Sequence, residues 1–233
     1  MMTPAPKTDR PWLPYVAPMA TFLILTAGED YLPKSGQGAH PTYYPIYYAA
    51  KIAVVAGVLW ACRSTFRDLA PRPGGRVVAL AVALGLAVTA LWVGLDGLYP
   101  VFGGMGARAS FDPGTMGKPG RVAFLAVRMT GLVLVVPLFE ELFWRSFVVR
   151  WIIDPDRFHD VPIGRVTPIA AFVTAALFLA EHPAEWLPAF LTGLIWAWLL
   201  YRTRSVAACF VSHAVANLGL GVHVLATGLW KFW

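Results

Sequence analysis

Glu140, Glu141 and Arg145 fall within the stretch Pro137-Leu-Phe-Glu-Glu-Leu-Phe-Trp-Arg145, a run otherwise apolar enough to sit in lipid. An ionisable side chain near a bilayer centre costs about 2.5–3.5 kcal/mol on insertion scales. Three of them so close together must face a protein interior or a wet cavity rather than lipid. This stretch constrains the fold more than any other, because it requires a helix that spans a membrane and also encloses charge.

The rest of the chain agrees with that demand. Hydrophobic residues make up 58% of it and charged residues 14%, with a mean hydropathy of +0.59. Soluble domains carry about 25% charged residues. Apolar runs near the ~20 residues that cross a hydrocarbon core recur along the chain. The alternating ~10-residue segments of an outer-membrane barrel are not seen. The expected fold is all-α: a polytopic membrane protein of seven or eight transmembrane helices around a polar cavity. No repeat or linker divides it, so residues 1–233 are read as one integral-membrane domain. Cys62 and Cys209 lie in or beside predicted helices and make no disulfide framework. The net charge of +6 calls for no nucleic-acid partner, since cytoplasmic loops of membrane proteins are enriched in Lys and Arg.

Seven apolar segments are expected, near 12–27, 43–62, 77–98, 121–153, 166–181, 187–201 and 205–221. An apolar tail with Trp230 and Trp233 would be an eighth if it inserts. The first lacks a small-residue cleavage site and is read as a retained helix. Lys51, inside the second, is explained by snorkelling or by a cavity wall. Asp96 is expected as a hydrated interface residue. The fourth segment is too long for one bilayer crossing, and Pro137 is its candidate bend. With the N-terminus placed inside, the inner loops carry eleven basic residues, among them Lys7, Arg63 and Arg67. The outer loops carry four: Lys34, Arg108, Lys118 and Arg121. That bias predicts a cytoplasmic N-terminus in the cell inner (plasma) membrane.

Three patterns carry chemistry. In Glu140-Glu141-x-x-x-Arg145, Glu141 and Arg145 stand one helical turn apart and can pair. Glu140 is rotated about 100° away and faces another neighbour. Burial raises a carboxylate's pKa unless cations or hydrogen bonds offset it, which suits a general base. The same residues also suit a structural ion-pair cluster. In Phe178-x-x-x-His182 the imidazole ends a helix before Pro183, a place where histidine is often structural. In His213-x-x-x-Asn217 two polar side chains share one face of an apolar helix. They could join helices by hydrogen bonds or donate to an oxyanion.

Taken in order, EExxxR, FxxxH and HxxxN on successive apolar segments resemble the CAAX prenyl protease and bacteriocin-processing (CPBP, Abi) family of intramembrane proteases. The resemblance covers about residues 121–220 and includes the turn Tyr201-Arg-Thr-Arg-Ser205. Gly94-Leu-Asp-Gly-Leu-Tyr-Pro100 and the ending Val224-Leu-Ala-Thr-Gly-Leu-Trp-Lys-Phe-Trp233 look like the CAAX-protease-related proteins of bacterial exosortase (PEP-CTERM-type) sorting systems. The resemblance implies an intramembrane endopeptidase acting on a membrane-associated protein. Glu140 would activate the attacking water with help from His182. His213 and Asn217 would stabilise the tetrahedral oxyanion, while Glu141 and Arg145 would shape and charge-balance the site. No cofactor is expected. The alternative is a zinc enzyme with Glu140, His182 and His213 as ligands, although HExxH is missing and Asn217 is a poor zinc ligand.

A channel or transporter, or a non-catalytic immunity or scaffold protein, would also bury charge. Paired half-repeats are missing, which weighs against a transporter, and the intact motifs weigh against a non-catalytic role. One mismatch is visible at this level. His182 falls at the outer end of its segment, whereas Glu140 falls near mid-membrane. The expected repair is a break at His182-Pro183-Ala-Glu185, sunk into a water-filled cavity where non-helical backbone is tolerated.

Overall fold

The computed structural model describes residues 10–36, 38–101 and 111–232. Lys7 and Arg108 of the charge count, and Trp233, lie outside the described residues. The chain is an all-α membrane protein. Among the described residues seven helices follow one another: α1 (Leu13–Gly28), α2 (Tyr43–Ala61), α3 (Gly75–Gly94), α4 (Lys118–Ile153), α5 (Pro168–Ala180), α6 (Trp186–Thr203) and α7 (Val206–Thr227). The only sheet among the described residues is a short antiparallel hairpin between α1 and α2, pairing Lys34 with Ala39 and Ser35 with Gly38.

Four of the helices, α2, α3, α4 and α7, are long and apolar enough to cross a membrane. Helix α5 is apolar but shorter. The expectation of an all-α membrane protein holds, while four helices among the described residues, not seven or eight, meet the requirements for a span. Large apolar side chains point outward along the bundle, with Ile24, Ile46, Trp60, Ile169 and Phe172 all exposed. Such a surface belongs in lipid.

Helix α4 runs for 36 residues, about 54 Å at 1.5 Å per residue. Its winding is not uniform. Residues 131–135 and 142–148 form wider π-helical turns on either side of the regular turn that holds Pro137 and the glutamates. Pro137 has no N–H to offer the carbonyl four residues earlier, and that residue, Val133, lies in the first π segment. The proline expected to bend the helix thus coincides with a change of pitch, a feature often found at functional sites.

Helix ends follow local chemistry. Thr167 and Ser205 cap α5 and α7, their hydroxyls accepting the N–H groups of Ala170 and Ala208, each at 3.1 Å. Arg204, at φ 52°, is left-handed and turns the chain sharply from α6 into α7. Helix α3 packs closely along α7. A Cβ on Gly85 would come within 2.5 Å of the Ser212 carbonyl oxygen, and Thr89 donates across the seam to the Ala216 carbonyl at 3.1 Å. Small residues bring membrane helices together in this way.

Candidate active site

Helix α4 presents Glu140, Glu141 and Arg145 to the interior, and α7 brings His213 against them. Glu141 and Arg145 are fully buried, and Glu140 and His213 nearly so. The guanidinium Nε of Arg145 donates to Glu141 Oε2 at 3.3 Å, the expected one-turn pair. The other oxygen of Glu141 lies 2.9 Å from His213 Nδ1. An ionised carboxylate can only accept, so Glu141 sets Nδ1 as the protonated nitrogen. His213 Nε2 then faces Glu140, whose Oε2 lies 3.8 Å away. That separation is compatible with one water hydrogen-bonded to both atoms.

Trp196 of α6 is the floor of this arrangement. Its ring stacks on His213 with centroids 4.2 Å apart and planes 29° apart. Its indole N–H donates to Ser212 Oγ at 3.1 Å. The Arg145 guanidinium sits 5.9 Å from the same ring. Glu141, Arg145 and Trp196 together fix both the plane and the tautomer of the imidazole.

Asn217, one turn beyond His213, donates from Nδ2 to the Leu132 carbonyl at 2.8 Å. Leu132 lies in the first π segment, whose altered pitch offers this carbonyl sideways to a neighbouring helix. An amide nitrogen carries two N–H groups, so one remains for another acceptor.

His182 lies in the break between α5 and α6. Helix α5 ends at Ala180 after 13 residues, about 20 Å, less than the ~30 Å of hydrocarbon it would need to cross. The break borders the cavity, with His182, Ala184 and Glu185 on its lining. The imidazole meets Trp92 edge to face at 5.4 Å and Phe178 at 4.9 Å. Trp92 is in turn held by its N–H bond to Thr192 Oγ1 at 2.9 Å.

Glu140, His182, His213 and Asn217 all line one cavity of about 790 Å³. Glu141 and Arg145 are packed behind its wall. Among the described residues no group of three or more His, Cys, Asp or Glu side chains is placed to hold a metal ion. The three residues of the zinc alternative, Glu140, His182 and His213, all border the same cavity.

Residues 122–219 match the family model for type II CAAX prenyl endopeptidase Rce1-like proteins. The segment is similar to that family over 98 of the 233 residues. The matched residues take in all six motif positions, Glu140, Glu141, Arg145, His182, His213 and Asn217. No curated protein and no solved structure matches the chain. Trp196, Trp92 and Thr192, which orient the two histidines, were not legible in the sequence. A tryptophan or threonine in an apolar helix reads as core, and neither forms a pattern with the residue it supports.

Proposed function

We propose that the protein is an intramembrane endopeptidase in which Glu140 activates water against a peptide bond of a membrane-associated protein. The observation that carries this reading is the approach of Glu140 Oε2 to His213 Nε2 at the wall of a cavity large enough for a polypeptide segment. Water held in the wedge between them gives its proton to the Glu140 carboxylate as its oxygen attacks the carbonyl carbon. The C–O bond forms as the carbonyl π electrons move to oxygen. His213 as the doubly protonated imidazolium, with Nδ1–H on Glu141 and Nε2–H toward the oxygen, and the second N–H of Asn217 stabilise that oxyanion. Collapse breaks the C–N bond, and the proton on Glu140 passes to the leaving amine. His182 helps to hold the water. Glu141 and Arg145 keep the imidazole charge-balanced and do not touch substrate.

The reaction so written needs no resident metal. The site lies in one domain, 1–233, in the cell inner membrane with the N-terminus cytoplasmic. A small protein of a sorting system fits the resemblance of the segments around Pro100 and at the C-terminus. The test is purified protein in detergent given membrane-protein tails with and without chelator, with products read by mass spectrometry. Cleavage at one bond, unchanged by chelator, is expected. Cleavage abolished by chelator and restored by zinc would overturn the metal-free mechanism, and no cleavage of any substrate would overturn the protease reading.

A further inference from the structure

Two buried cations line the cavity that holds Glu140, and neither belongs to the three motifs. Lys51 on α2 and Arg128 on α4 are almost fully buried, with relative exposures of 4% and 8%. Tyr48 stands between them. The Arg128 guanidinium lies 4.5 Å from its ring centroid and the Lys51 ammonium 5.2 Å. Arg128 Nη1 donates to the Tyr44 hydroxyl at 3.1 Å. Lys51 pairs with Glu29 and reaches Thr26 Oγ1 at 3.3 Å. Tyr44, Tyr48, Lys51, Arg128 and Glu29 all border the open volume, as do Asp30 and Lys34 beyond them.

A structural tie between α1 and α2 requires only Lys51 and Glu29. It does not require a second buried cation beside the same tyrosine, nor open space next to both. A guanidinium fork, an ammonium and phenolic hydroxyls at the edge of one open space are all donors that a carboxylate accepts.

We infer that Lys51 and Arg128, with Tyr44 and Tyr48, form an anion subsite of the cleft that binds a carboxylate carried by the substrate chain. Its place along the substrate follows from α4, and this part rests on the protease reading. Arg128 precedes Glu140 by twelve residues, about 18 Å along the helix. An extended chain covers roughly 3.3–3.6 Å per residue, so the carboxylate sits about five residues from the bond to be cut. Glu29 shares Lys51 with it, and Arg128 supplies the fork.

The test reads binding without cleavage. Full-length Glu140→Gln protein in phosphatidylcholine nanodiscs is titrated with fluorescein-labelled apolar peptides carrying a single Glu, each paired with its Gln twin. The Glu peptide should bind about tenfold more tightly, and Arg128→Gln should shrink that preference to about twofold. Arg128→Lys, which keeps the charge, should retain part of it. Equal binding of the twins, no binding of either, or a preference that survives Arg128→Gln would overturn the subsite. A preference abolished when phosphatidylglycerol replaces part of the phosphatidylcholine would assign the site to a lipid headgroup and overturn the substrate assignment. If Arg128→Gln does not fold, the twin peptides still decide the matter on the protein with both cations intact. The readout involves no hydrolysis, so failure of the catalytic reading would leave the measured preference untouched.

Discussion

His213 is held from three sides: Glu141 at Nδ1, Trp196 across its face and Glu140 opposite Nε2. Trp196→Leu should leave a folded protein with at least about tenfold lower turnover, because a loosely held imidazole loses the geometry that catalysis needs. A turnover equal to wild type would remove Trp196 from the account. Arg145→Ala should act differently. It strands the fully buried Glu141, and removing one partner of a buried pair costs roughly 3–5 kcal/mol. Lower folded yield and a lower melting temperature in detergent are expected. Asn217→Ala should reduce kcat by about 10²–10³ if its free N–H faces the oxyanion, while losing only the single bond to Leu132 from the fold. Single-turnover rates alongside melting curves separate the two effects. The Glu141–Arg145 pair was legible from spacing alone, since i and i+4 share a helix face. Trp196 was not, because its role comes from a helix that meets α7 only in three dimensions.

At the scale of elements, the seam between α3 and α7 is set by side chains that are small or missing. Gly85→Leu should drive these helices apart and abolish folded yield, measured by size-exclusion profile, because its Cβ alone would meet the Ser212 carbonyl. Since Ser212 precedes His213, the displacement would reach the site. A normal profile with normal activity would contradict the close packing. Helix positions in the sequence were largely legible from apolar runs: α2 begins at Tyr43 and α4 ends at Ile153, as expected. The π segments were not, because i→i+5 bonding leaves no periodic mark in so uniformly apolar a stretch. The break after Ala180 was anticipated from His182-Pro183. Its place on the cavity wall was not, because it depends on how α5 and α6 pack against α3 and α4.

For the whole molecule, charge lies on the cavity wall and apolar side chains face outward. Lys51, read from the sequence as snorkelling or cavity wall, belongs to that wall. Asp96, expected as a hydrated interface residue, meets Lys231 of the C-terminal turn at 2.5 Å, with both side chains substantially exposed. Exposed pairs contribute about 0–1 kcal/mol, so Lys231→Ala should shift the melting temperature little, and a large drop would show that the tail is a structural clamp. The account's central claim is that Glu140 is the base. The most direct test is the single-turnover cleavage rate of purified Glu140→Gln protein whose melting temperature matches wild type. The account predicts a rate indistinguishable from the uncatalysed background, and cleavage at a rate near wild type would contradict it.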